Sequence, residues 1–354
     1  LTAKKDYNNL DRYNIVMLME PQETIRLFNQ GGHGCLFHPG PSCQGGMEDK
    51  KYLTKIHLDD EKQQNEIAIS NKIKKIKRFA NYFSPIISHC KLDLAEISET
   101  EINKCDFIRE NPYKRKNYMT TKTFFIKGKD YSDYLKENDH SPQFVVEIYN
   151  KLILIINKLA SQGISHFDLK TSNLIIKLDT LQPIVIDFGI SIIINDVKTE
   201  KQYKEAFYIY STDYLPWSID IVVISYLVQK YSTFESLVTE IDIQEIQKII
   251  NIKTDEIAAI LNVINGNIVN GNAINGNAQP NSIAPLINDY QMTKYQKFTT
   301  YKNKKVRQVI EELKEHYKEW DVYSIAIMTA SIAQNYRITL KPKLKEKIIQ
   351  QLLV

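Results

Sequence analysis

Apolar positions fall into short alternating runs before about residue 127 and into longer stripes after it. Residues 24–28 (TIRLF) and 52–56 (YLTKI) alternate loosely with the two-residue period of a half-buried strand. Residues 85–94 and 118–126 read the same way, so the first third predicts a small sheet. A helix over 59–78 interrupts it, with Ile69, Ile73 and Ile76 on one side. Beyond residue 127 the spacing lengthens. Residues 130–138 suit a short helix, and 141–161 a long one whose Phe144, Ile148, Leu152, Ile155 and Leu159 keep one face apolar. Gly163 ends that helix. The runs Leu174, Ile175, Ile176 and Ile184, Val185, Ile186 read as short buried strands flanking a hairpin at 178–183. Residues 219–230 and 241–263 are again helical in pattern. After them come Ile264-Asn265-Gly266-Asn267, Val269-Asn270-Gly271-Asn272 and Ile274-Asn275-Gly276-Asn277. Asn-Gly pairs favour tight turns, and three such short copies cannot bury a solenoid face, so 264–277 predicts a flexible loop. Residues 1–20 carry no readable chemical signal.

Composition narrows the function classes. A net charge of +4 over 354 residues is too slight to argue for a nucleic-acid partner. Lys72, Lys74, Lys75, Lys77 and Arg78 cluster on the 59–78 helix, where a solvated face is the favoured reading over an acidic partner. The longest aliphatic run, 152–156, is bounded by Lys151 and by Asn157-Lys158, so no membrane span is expected. Cys35, Cys43, Cys90 and Cys105 form no C-x-x-C pair and nothing resembles a secretory leader, which predicts a reducing cytoplasmic setting. His33, Cys35, His38 and Cys43 lie close enough to raise the question of zinc, but their spacing fits no common zinc pattern.

The chemistry concentrates in residues 164–189, ISHFDLKTSNLIIKLDTLQPIVIDFG. His166, Asp168, Leu169, Lys170 and Asn173 spell H-x-D-L-K-x-x-N, and Asp187-Phe188-Gly189 follows the second apolar run. The first motif should arise by chance in about one chain in ten thousand of this length. Phosphoryl transfer to a hydroxyl needs a group that orients the hydroxyl and takes its proton, and Asp168 suits that task. Mg²⁺ prefers oxygen ligands, which Asn173 and Asp187 supply, and the hairpin would return both to one edge. Lys170, two residues past the base, can reach the transferring phosphate.

This stretch resembles the catalytic core of the eukaryotic-type protein kinases, whose signatures include both motifs. The resemblance implies an α+β, bilobal kinase-like fold, with a small antiparallel-sheet N-lobe over 1–127 and a mainly helical C-lobe over 128–354. It implies ATP and Mg²⁺ as cofactors and a protein substrate phosphorylated on Ser or Thr, since Lys170 is similar to the Ser/Thr-directed members. Asp168, Lys170 and Asn173 would be catalytic, and Asn173 and Asp187 would hold the metal. Gly32 and Gly34 would belong to the glycine-rich loop, with Phe37 and Pro39 departing from its pattern. Lys55 would hold the α- and β-phosphates and pair with Glu66, for which Glu61 is the rival. Ile175 would line the nucleotide site, and residues 124–129 would be the hinge. Phe167 stands where the family has an arginine that commonly pairs with a phosphate, which implies activity without activation-loop phosphorylation. Residues 191–210 should be the activation segment, and Tyr214-Leu215-Pro216-Trp217 stands in place of Ala-Pro-Glu.

Trp320-Asp321-Val322-Tyr323-Ser324-Ile325 is similar to the opening of the family's central large-lobe helix, where an aspartate bonds the backbone of the catalytic loop. Asp321 is favoured for that structural role, with Asp220 the rival. Residues 218–318 are then a large insertion that folds in part. Its departures and its Ile-, Asn-, Lys- and Tyr-rich composition make the chain resemble the divergent kinases of large nucleocytoplasmic DNA viruses, which would place it in host cytoplasm or virion. A pseudokinase scaffold that binds nucleotide or a partner without turnover is the main alternative. A small-molecule kinase fits less well, because those enzymes generally lack Lys170 and the glycine of Asp-Phe-Gly.

Overall fold

Alternating strands and amphipathic helices segregate as the periodicity implies, the strands early and the helices late. The computed structural model describes residues 25–31, 34–41, 50–92, 97–110, 117–138, 141–266, 268–269, 272–273 and 283–353. Strands β1 (Leu27–Gly31), β2 (Gly34–Phe37), β3 (Tyr52–Leu58), β4 (Ser88–Lys91) and β5 (Tyr118–Phe124) form one antiparallel sheet in the order β1-β2-β3-β5-β4. The longest ladder runs from Tyr52↔Phe124 to Leu58↔Tyr118. Cys35, Phe37 and Ile56 from the sheet close a small core with Ile97, Ile102, Cys105 and Ile108.

Helix α1 (Glu61–Ile73) starts where the Asp60 carboxylate accepts from the Gln63 backbone N–H at 3.0 Å. It stops five residues short of the expected end. The chain turns there, with Arg78 at a φ of 58°, so that Ile76 and Phe83 both reach the main core. Two short helices that the periodicity does not predict, α2 (Glu99–Ile102) and α3 (Asp106–Glu110), cover the small core.

The remainder is mostly helical. After β6 (Gly128–Asp130) come α4 (Tyr131–Glu137) and α5 (Pro142–Ala160), the latter capped by Ser141. Strands β7 (Ile164–Ser165), β8 (Leu174–Lys177), β9 (Pro183–Val185) and β10 (Ile192–Ile193) follow. They pair as β6-β8-β9 and β10-β7. Helices α6 (Glu200–Ala206), α7 (Ile219–Lys230), α8 (Glu240–Ile264), α9 (Ala284–Thr299), α10 (Val306–Lys314), α11 (Tyr317–Asn335) and α12 (Pro342–Leu352) complete the chain. Helix α7 buries residues on nearly every side, as does α11, and a helix apolar all round belongs in an interior. Helix α11 packs against α5, α8 and α12. The stretch 218–318 supplies α7 to α10, and only α12 follows α11. Of the Asn-Gly repeat, Ile268–Val269 and Asn272–Ala273 pair as a two-stranded ladder, β11 with β12. The rest of its second and third copies lies outside the described residues. Among those residues no helix is long and apolar enough to cross a membrane.

A disulfide joins Cys35 on β2 to Cys105 ahead of α3, and Cys90 is also disulfide-bonded, bonds that the reading of these cysteines as reduced thiols did not foresee. The Cys35–Cys105 partners are 70 residues apart, so no local motif announces them. The bond also removes Cys35 from the zinc grouping, whose His33 and Cys43 lie outside the described residues.

Candidate active site

Residues 164–173 are held from behind by α11. The Asp321 carboxylate accepts from the backbone N–H of His166 at 2.7 Å and of Phe167 at 3.0 Å. Asp321 thus fills the role expected of it, while Asp220 binds His316 instead, at 2.7 Å. Burial pushes the Asp321 carboxyl up, opposed by His166 and by the two N–H donors. Phe167 takes a left-handed φ of 70° and buries its ring against Trp217 and Phe207, at 5.0 and 5.6 Å between centroids. An arginine there would leave a charge in an aromatic cluster. The His166 ring touches both halves of the motif: its Nε2 meets the Ile186 carbonyl at 3.0 Å, and its Nδ1 meets the Asp168 N–H at 3.3 Å.

These supports present the Asp168 carboxylate to three side chains. Lys170 Nζ approaches its two oxygens at 2.9 and 3.2 Å. Asn173 Nδ2 donates to Oδ2 and to the Asp168 carbonyl, both at 2.9 Å. The third donor is the Tyr214 hydroxyl, on Oδ1. Sequence reading noticed Tyr214 only as part of a missing motif. Its hydroxyl is held protonated by burial and by the adjacent Asp168. Lys253 of α8, fully buried, donates to the Tyr214 carbonyl at 2.9 Å and pairs with Glu256 at 3.0 Å. Burial pushes its ammonium pKa down, and Glu256 opposes that shift.

Farther along the same stretch, Asp187 has a φ of 61° and its Oδ1 accepts from the Gly189 N–H at 3.2 Å. Phe188 is buried against His166 and Phe83. Lys55 is in mid-ladder on β3, opposite Leu36 and Thr121. Glu66 on α1 feels both groups: burial raises its pKa, the Lys55 ammonium opposes this, and the Asp187 carboxylate adds to it. Its nearest partner is Gln63, whose Nε2 donates at 3.2 Å. The expected direct Lys55–Glu66 ion pair is not formed, because Lys55 makes no ion pair within 4.0 Å among the described residues. Of the rival Glu61, the side chain lies outside what is described. Asn65 ties α1 to this region by donating to the Ser191 carbonyl at 3.1 Å.

The glycine turn is partly visible. Gly34 has a φ of 145°, and a Cβ there would sit 2.3 Å from the Ile56 carbonyl oxygen, so only glycine fits. Gly32 lies outside the described residues. Ile175 is half-buried on β8, opposite Asp130 and Ile184. Residues 124–127 border a cavity of about 370 Å³, but its other walls include Ala80, Phe83, Lys177 and Asp179. It therefore lies apart from Lys55, Asp168 and Asp187, which do not line it.

The structure thus brings Asp168, Lys170 and Asn173 into direct contact and couples Lys55, Glu66 and Asp187 through their charges. No family model matches the chain and no curated protein matches it, so its functional reading rests on these side chains.

Proposed function

We propose that this chain is an ATP- and Mg²⁺-dependent protein kinase of bilobal fold that transfers the γ-phosphate to Ser or Thr hydroxyls of a protein. The observation that carries the reading is the carboxylate of Asp168, anchored from behind by Asp321 and flanked by Lys170 and Asn173. In this role Asp168 orients the acceptor hydroxyl and takes its proton, and Lys170 neutralises charge beside the transferring group. Lys55 would grip the nucleotide phosphates, and its ammonium acts on the buried carboxyl of Glu66 nearby.

The donor set suits magnesium. Asn173 spends its amide N–H groups on Asp168 and keeps its carbonyl oxygen, while Asp187 commits one oxygen to Gly189 and keeps the other. Mg²⁺ takes few protein oxygens and retains water and phosphate ligands, and when bound it offsets the charge developing on the phosphates. The Tyr214 hydroxyl on Asp168 favours a second reading, a scaffold that binds nucleotide without turnover, because it sits where an acceptor would have to.

Labelled ATP and a generic basic protein separate the two readings. The wild type should transfer label, and Asp168→Asn should lower the rate by about a hundred- to ten-thousand-fold while keeping nucleotide binding. Nucleotide binding with no transfer in either protein favours the scaffold. Neither binding nor transfer sinks both.

A further inference from the structure

The hydroxyl that meets Asp168 belongs to the chain itself. Tyr214 Oη donates to Asp168 Oδ1, while Lys170 Nζ stands 2.9 and 3.2 Å from the two oxygens of the same carboxylate. A phenol so placed has what an acceptor needs: its proton points at a base, and a cation lies alongside for the group it would receive. Burial and the carboxylate both keep the phenol protonated, so that proton is still there to be given up. Asp168 and Tyr214 are half-buried, and the Lys170 side chain beside them is 43% exposed, so the group is open to solvent on the lysine side.

Both ends of Tyr214 are held in this position. Its carbonyl accepts from the buried Lys253 ammonium at 2.9 Å and from the Trp217 N–H at 3.0 Å. Its ring meets the Trp217 indole edge-on, at 5.1 Å between centroids. Trp217 in turn donates its Nε1 to the carbonyl of Phe167, the residue before the base, at 2.7 Å. One indole therefore fixes acceptor and base against each other, and groups held so react without a bimolecular encounter. Nearby hydroxyl residues are engaged elsewhere: Thr212 donates to Asp213 at 3.0 Å, and the Tyr210 ring lies against Tyr226 at 6.1 Å.

Resting on the kinase reading above, we propose that Tyr214 is an intramolecular phosphate acceptor, modified by the active site of its own chain. The Tyr214 Oη–phosphorus bond forms as the bond from the γ-phosphorus of ATP to its bridging oxygen breaks. The phenolic proton passes to Asp168, and ADP leaves with the electron pair. The product carries a charge of about −1.5 to −2 where a donor stood. It no longer donates to Asp168 and is repelled by that carboxylate, so the ring leaves the base and the step ends at a single phosphate.

The test incubates the full wild-type chain with Mg²⁺ and labelled ATP, no other protein present, and maps the phosphopeptides by mass spectrometry, a readout that needs no variant to fold. Phosphotyrosine should appear at Tyr214 ahead of Tyr208 and Tyr210, which are 42% and 39% exposed and would be favoured by reaction between chains. Its rate per chain should be unchanged by about a hundredfold dilution. Asp168→Asn should lower that rate by about a hundred- to ten-thousand-fold. Mixed with active Tyr214→Phe, the Asp168→Asn chain should stay unlabelled at Tyr214. A parallel reaction with a generic basic protein separates this proposal from the reading it rests on. If that protein takes label while Tyr214 does not, or if labelling of Tyr214 slows on dilution or crosses between chains, the acceptor proposal falls and the kinase reading stands. If neither takes label, both fall.

Discussion

Two stretches would face the same triphosphate under the proposed function, and they are held in opposite ways. Residues 164–189 are fixed by hydrogen bonds from the interior: Asp321 behind His166 and Phe167, Trp217 Nε1 on the Phe167 carbonyl at 2.7 Å, and Ser191 on the His166 carbonyl at 3.0 Å. The described residues of the β1–β2 hairpin are held differently, by the β2–β3 ladder on one side. The hairpin is also tied sideways to α2 and α3 by the Cys35–Cys105 disulfide, by Leu27 N–H on Glu101 at 2.9 Å and by Gln30 on Asp106 at 3.1 Å. Residues 164–189 are thus set from the interior, whereas the β1–β2 hairpin leans on a small satellite core. Under the proposed function, preorganisation would be concentrated where protons move.

The comparison can be broken at its strongest point first. Asp321→Ala leaves two backbone N–H groups of the catalytic loop unpaired in the interior and should cost about 3 kcal/mol or more, read by denaturant melting. A loss much smaller than that means the loop is held by its aromatic packing instead. Next, Cys35→Ser with Cys105→Ser should cost about 2–4 kcal/mol, because the cross-link closes a long loop. Hydrogen exchange should rise in β1 to β3 and stay unchanged over 164–189; equal loosening of both would erase the contrast.

A smaller effect belongs to His57, on the sheet beside Lys55. Burial pushes its pKa down from 6.5 to about 4. Between those values the unfolded chain takes up a proton that the folded chain refuses, so stability falls as pH falls. The loss between pH 7 and pH 5 should be about 2 kcal/mol, and His57→Gln should flatten it. The smallest effect, about 1 kcal/mol, is expected at Tyr214. Tyr214→Phe removes the hydroxyl that occupies Asp168 and should raise phosphoryl transfer a few-fold in initial-rate assays. An unchanged or lower rate would show that Tyr214 assists the base and does not compete for it.

What could be read from the sequence follows the same divide. The cluster of Asp168, Lys170 and Asn173 was legible because these residues lie within a run of 26 consecutive positions whose pattern resembles a known signature. Strand alternation gave β3 and β5, and a one-sided stripe gave α5. Asp321 over Asp220 was legible from its neighbours Trp320, Tyr323 and Ser324. What stayed hidden depends on distance: Cys35 with Cys105, Tyr214 with Asp168, Lys253 with the Tyr214 carbonyl. Each pairs residues of common type at separations that carry no period. Helices α2 and α3 were missed because they are too short to show one.

Lys253 bears on anyone wishing to shorten this chain. Its position between two regular helices makes the 218–318 stretch look like ornament that could be pruned to yield a minimal enzyme. Yet that lysine is the clasp on the strip of backbone carrying Tyr214, and α7 fills the centre of the main core. Pruning would remove the donor on the Tyr214 carbonyl and the helices packed into that core. The smallest viable version of this molecule keeps its guest helices and gives up, at most, the Asn-Gly copies between them.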